Sequence, residues 1–155
     1  MTPSPISTPD FNQIAATFDR FLPQIHPVTL ALLDHLPPPA DGATVLDVAC
    51  GTGEPGLTLA RRAPGAHLLG VDRADAMIAA ARQKAARDSL INARFEVMES
   101  EALALADGSV DAVISRFGLL LFGDVPKTAR ELARVLRVGG PFSIAVWDEP
   151  AKNTL

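Results

Sequence analysis

"VLDVACGTGEPG", Val45 to Gly56, decides how this chain is read. Its first half is an apolar strand interrupted by one acid, Asp47, and its second half is a glycine turn in which Gly51, Gly53 and Gly56 satisfy G-x-G-x-x-G. A buried strand that enters such a turn and then a helix brings backbone amides close to a ligand. The glycines alone do not say whether that ligand is a phosphate or a group carrying positive charge.

Working outward, strand and helix patterns alternate from Thr44 onward. Pro55 leads a helix after the turn, and "AHLLGVD" is a second apolar strand ending at Asp72. "ADAMIAAARQKAARD" has the composition of a good helix, and "ARFEVME" alternates as a strand. "VDAVISRF" is a continuous apolar strand, "PKTARELARVL" a helix, and "GGPFSIAVW" a last strand opened by a glycine pair. Such alternation means crossovers between parallel strands with helices on both faces. The fold class is α/β, a doubly wound, mainly parallel sheet.

Two helices precede it. "FNQIAATFDRFL" spaces Phe11, Ile14, Phe18 and Phe21 along one helical face, so that stripe must face something. A second helix is predicted after Pro27, through "VTLALLDHL", stopping at three prolines. The expected organisation is a flexible lead-in over 1–10, cap helices and a proline linker over 11–40, and a ligand-binding α/β domain over 41–155.

With 155 residues the chain suffices for one core, and 48% hydrophobic against 21% charged residues places it among globular chains. A net charge of -4 argues against a nucleic-acid partner held by a basic surface. Cys50 is the single cysteine, which excludes an intrachain disulfide and a multi-cysteine metal site. His26, His35 and His67 show no metal-ligand spacing, so no metal is expected. "MTPSPISTPD" lacks the features of a signal peptide and no stretch reaches membrane-span length, so the expected location is cytoplasmic, with no membrane partner.

The acids then discriminate between guests. Asp72 lies 21 positions after Gly51, where a dinucleotide fingerprint wants an acid for a ribose hydroxyl, so a nicotinamide oxidoreductase is one reading. Glu54, however, sits at the start of the next helix, where free amides would otherwise welcome a pyrophosphate, and Asp47 places a second carboxylate under the same loop. A ligand with a cationic centre, an ammonium group and a ribose suits those acids better. S-adenosylmethionine is such a molecule.

At this point the sequence resembles the class I S-adenosylmethionine-dependent methyltransferases, in the branch that looks like the ubiquinone/menaquinone C-methyltransferases. The resemblance rests on "VLDVACGTG", "GVDRADAMIAAAR", "ESEALALADGSVDAVISRFGLLLF" and "ELARVLRVGGPFSIAVW", in that order. It implies a Rossmann-like fold, S-adenosyl-L-methionine as cofactor and a small-molecule methyl acceptor. It also implies Asp47, Gly51 and Gly53 for the methionine part, Asp72 for the ribose, Arg73 and Met77 beside the adenine, Glu99 and Ser100 for the adenine edge, and Arg116 at the pocket floor. Ala49 stands where glycine is commoner, Ala74 at a helix start that often carries serine, and Phe18 at a frequent tyrosine.

Each of these residues also has an ordinary structural reading. Asp47 is a buried acid bonded to turn amides, Asp72 a plain strand-end acid, Arg116 one half of an ion pair, and Met77 helix packing. No catalytic base is identified, and His26 and Arg116 are the two candidates for a catalytic role. The family's fold continues past the last strand into a helix and a closing antiparallel hairpin, so the expected sheet is C-terminally truncated. Its last strand would be an exposed apolar edge, from which self-association is expected. Besides methyl transfer, a cofactor-binding or interaction module without catalysis fits the same motifs.

Overall fold

The computed structural model describes residues 10–118, 124–148 and 152. The expected lead-in up to Pro9 and the "LLLF" end of the third motif lie outside the described residues. Helix α1, Phe11–Phe18, is capped by Asp10, whose carboxylate accepts the Asn12 amide. A 3₁₀ turn, Asp19–Phe21, leads straight into α2, Leu22–Asp34.

The second helix therefore begins well before the predicted start, with Pro27 inside it. Pro23 sits in the first turn, where no amide bond is lost, and Pro27 removes one hydrogen bond only. The inward face of α2, made of Ile25, Thr29, Leu32 and Leu33, is buried, and that packing offsets the missing bond.

The remainder follows the predicted alternation: β1 Thr44–Val48, α3 Gly56–Arg62, β2 His67–Asp72, α4 Asp75–Arg87, β3 Ala93–Val97, β4 Ala112–Arg116, α5 Val125–Val135 and β5 Phe142–Ala145. All four pairings are parallel and the spatial order is β3-β2-β1-β4-β5. Because successive side chains in a strand point to opposite faces, the sheet has two cores. Val45, Leu57, Leu68, Ile78 and Ile114 form one with α2, α3 and α4, whereas Leu46, Val48, Val113, Leu132 and Val135 form the other with α5.

The chain builds outward from β1 to β2 and β3, then returns to β4 on the other side of β1. That reversal opens a crevice at the carboxyl ends of β1 and β4. Residues just past β1, β2 and β4 are brought there together.

Candidate functional site

A cavity of about 430 Å³ lies at those strand ends, within the range of small-molecule sites. Its floor holds Ala49 and Gly51 after β1, Asp72 closing β2, and Arg116, Phe117 and Gly118 at the end of β4. The roof is the N-terminal stripe: Phe11, Phe18 and Phe21, with Gln24 and Ile25 from α2. The stripe that had to face something thus faces the cavity, and Phe18, Ile14 and Phe11 also pack on Met77 and Ala74 at the start of α4. Asp19 pins this roof down, its Oδ1 accepting both the Thr52 hydroxyl and the Lys84 ammonium at 2.6 Å.

The glycine loop is shaped from below. The Gly51 amide donates to Asp72 Oδ2 at 2.9 Å, and the Ala74 amide donates to Asp72 Oδ1 at 3.0 Å. Burial raises the Asp72 pKa against the lowering effect of these two amides. Gly51 has φ +53°, and a Cβ there would stand 3.6 Å from the Phe18 ring, so the bare backbone faces open cavity. Gly53, at φ +107°, does not line the cavity; a Cβ there would meet Leu57 Cδ1 at 2.7 Å. Gly53 is needed for the turn and for close packing of α3.

Asp47 also lies outside the cavity lining, fully buried beneath the loop, its Oδ2 accepting the Gly56 amide at 2.9 Å. Alternation puts its side chain on the face of Val45, towards α3. Desolvation pushes its pKa up to about 8, so it is mostly protonated at neutral pH, and its Oδ1 has no hydrogen-bond partner. The expectation of a second full negative charge under the loop is therefore revised. Phosphate is disfavoured for a different reason: the first turn of α3 is already occupied. Gly56 N–H is bound to Asp47, Thr58 N–H to Glu54 Oε2, and Glu54 Oε1 also holds Arg61.

Arg116 lines the cavity at the end of β4. Its guanidinium donates to the Thr29 hydroxyl on α2 and, at 3.1 Å, to the Glu54 carbonyl, while burial lowers its pKa. Asp47 and Glu54 act in the opposite direction. His26 does not join it. Ile25 and Thr29 turn inward, and one residue on from Ile25 the helix has rotated His26 to the exposed face, away from the cavity lining.

Beside the main cavity, a notch of about 10 Å³ is lined by Asp72, Arg73, Met98, Glu99 and Ser100. It is too small for a whole ring. The Ser100 hydroxyl shares a 3.2 Å hydrogen bond with Thr128 of α5. Met77 is buried and lines the main cavity rather than the notch, so it both packs α4 and meets the ligand space. Cys50 is buried in the core, with its thiol pKa raised by burial. The sequence reading missed Phe117 and Trp147, whose rings stack with centroids 4.0 Å apart at the cavity wall. Strand alternation hid Phe117, because it assigns consecutive residues to opposite faces.

A parallel sheet reversing at β1, a glycine loop tied to a strand-end acid, and an apolar cavity over both define a nucleotide-cofactor-binding α/β domain. Residues 45–140 match the methyltransferase-domain family, and the chain belongs to that family. It is 43% identical over 109 residues to a demethylmenaquinone methyltransferase of Thermus thermophilus, covering 70% of this chain and 49% of that protein. It is 33% identical to a 2-phytyl-1,4-naphtoquinone methyltransferase of Thermosynechococcus vestitus, covering 94% of this chain and 66% of the relative. A geranyl diphosphate methyltransferase solved with GPP and sinefungin superposes with a TM-score of 0.72 at 26% identity, covering 77% of this chain and 44% of that one. The chain spans about half the length of the first of these relatives.

Proposed function

We propose that this chain binds S-adenosyl-L-methionine at the crevice and transfers its methyl group to a small apolar acceptor held in the cavity. One observation carries the reading: Asp72 lines both the cavity and the notch while fixing the Gly51 loop, so a single acid joins the two spaces. The residues present fit the cofactor. A desolvated carboxylate accepts from two ribose hydroxyls, the bare Gly51 backbone admits close approach, and Arg73, Glu99 and Ser100 offer polar edges to the adenine. Asp47 and Gly53 act one layer below by holding the loop. S-adenosylmethionine supplies a methyl group already activated by its positive sulfur.

The protein's part is then to orient and to exclude water. Phe11, Phe18, Phe21 and Ile25 form the dry roof, and Arg116 is held rigid by Thr29 and the Glu54 carbonyl. Isothermal titration with S-adenosylmethionine tests the binding step, and conversion to S-adenosylhomocysteine with an acceptor tests transfer. Absence of heat at high micromolar cofactor would contradict the proposal.

A cofactor-binding module without catalysis is distinguished by binding without transfer to any acceptor. We also propose self-association through β5. That strand pairs only with β4 among the described residues, and Phe142, Val146 and Trp147 are 68%, 52% and 36% exposed. Sedimentation showing a dispersed monomer would overturn it. A location in the cytoplasm is proposed on the sequence reading; no described helix is long and apolar enough to cross a membrane.

A further inference from the structure

Arg116 is a buried cation held by neutral partners. It is 8% exposed, and a guanidinium keeps its proton at any pH the fold experiences. Its two hydrogen bonds go to the Thr29 hydroxyl and the Glu54 carbonyl, and among the described residues it makes no ion pair. The carboxyl groups that act on it from a distance are engaged or neutral. Glu54 binds the Thr58 amide and Arg61, and Asp47, pushed up to about 8, is mostly protonated at neutral pH. Buried charges in folded proteins are ordinarily paired, so this one lacks a counter-charge.

The guanidinium sits where α2 meets the cavity. Ile114 packs in the core shared with α2, and Arg116, two positions on, points to the same side and reaches Thr29. One helical turn before Thr29, Ile25 roofs the cavity that Arg116 also lines. Nη1 and Nη2 carry the two hydrogen bonds, and Nε carries none. Among the described residues, Asp47 Oδ1 is the one fully buried side-chain nitrogen or oxygen without a partner, so Nε is not sealed in. A side chain this buried is reached through the space it lines, which leaves the Nε–H open to the cavity.

Around it the lining is mainly apolar, with Phe18, Phe21 and Ile25 above. Asp72, the other charged residue there, is held by the Gly51 and Ala74 amides. A neutral guest leaves the guanidinium uncompensated in this dry space. A carboxylate accepts from Nε–H in a charge-assisted bond and cancels the charge, while the apolar walls suit the rest of its molecule. We propose that Arg116 is a specificity-determining residue that pairs through its open Nε–H with the carboxylate of an otherwise apolar acceptor. The inference rests on the proposed methyltransferase reading and names its acceptor class.

The test titrates hexanoate and hexanamide, which match in size and differ in charge, calorimetrically into the chain in the presence of S-adenosylhomocysteine. The expected result is binding of hexanoate at least tenfold tighter than hexanamide. Arg116→Gln, which removes the charge, should reduce that ratio below threefold. Arg116→Lys, which keeps the charge, should retain a preference of threefold or more, which guards against a folding defect in the glutamine variant. Equal binding of the two probes by the unaltered chain, no binding of hexanoate, or an undiminished ratio in a folded Arg116→Gln would each overturn the proposal. Weaker S-adenosylmethionine binding in Arg116→Gln with the preference for hexanoate intact would assign the cation to the cofactor's own carboxylate and overturn it as well. The two readings fail differently: an unaltered chain that binds no S-adenosylmethionine removes the methyltransferase reading, whereas one that binds it and treats the two probes alike removes this inference alone.

Discussion

The Gly51 amide donates to Asp72 Oδ2 across 21 positions of sequence, at 2.9 Å, so the end of β2 sets the shape of the loop that follows β1. The proposed ligand contact and the loop geometry therefore meet in one carboxylate. Asp72→Asn keeps one acceptor oxygen for two amides, and one of them loses its partner. The expected cost is about 1–3 kcal/mol of stability in urea denaturation. Loss of the charged acceptor should weaken S-adenosylmethionine binding by about tenfold or more in calorimetry. Unchanged affinity would remove Asp72 from the cofactor site.

Asp47 makes stability depend on pH. The fold raises its pKa from 3.8 to about 8 by desolvation, so the folded chain retains a proton that the unfolded chain releases above about 4. Stability should therefore be highest below pH 4 as far as this group is concerned, fall as pH rises towards 8, and level off above it. The full effect is on the order of several kcal/mol, since each unit corresponds to about 1.4 kcal/mol. Asp47→Asn should flatten most of the slope between pH 5 and pH 8.5 in urea midpoints. Asp72, whose pKa is also raised, leaves a smaller slope of the same sign. A variant with the same slope as the unaltered chain would contradict this assignment.

Gly53→Ala brings a Cβ within 2.7 Å of Leu57 Cδ1 at a backbone φ of +107°. Strain and overpacking together should cost about 2–4 kcal/mol. Thermal melts should show a lower midpoint, and hydrogen exchange should quicken at the start of α3. An unaffected melting temperature would mean that the loop relaxes freely.

Arg116→Lys keeps the charge but cannot reach the Thr29 hydroxyl and the Glu54 carbonyl together. About 1.5–3 kcal/mol of stability should be lost with each strong bond to this buried charge. The effect should be visible as faster exchange in α2 as well as a lower melting point. Equal protection of α2 in both proteins would show that Arg116 does not anchor it.

Asn12→Ala tests how α4 is started. Ala74 provides no side-chain cap, yet the Ala76 amide donates to Asn12 Oδ1 at 3.1 Å as well as to Asp75 Oδ1 at 2.9 Å. With Asp75 still in place, the loss should be about 0.5–1 kcal/mol, read from urea midpoints. A larger loss would mean that Asn12 carries the cap alone.

What the sequence by itself determined is whatever depends on neighbours along the chain. Alternating apolar strands and helices dictate a parallel sheet, and the glycine turn after β1 with the acid ending β2 marks the candidate ligand site. The motifs carried the family. Local pattern also misplaced the start of α2, because Pro27 is tolerated through burial of a face supplied by the sheet, which no local rule contains.

Tertiary structure decided which of those residues face the ligand space. Asp47 is one strand position from the loop, but the pleat turns it under α3, and burial, with the nearby Glu54 and Asp72 carboxylates, raises its pKa. His26 is one residue from Ile25, but the helical rotation carries it to solvent. Where Ala74 offers no cap, the Ala76 amide is reached by Asn12, 64 positions away, alongside Asp75, and Phe117 reaches the cavity only because the backbone reverses its alternation. Orientation and desolvation are properties of packed neighbours distant in sequence, so they exist only once the chain has folded.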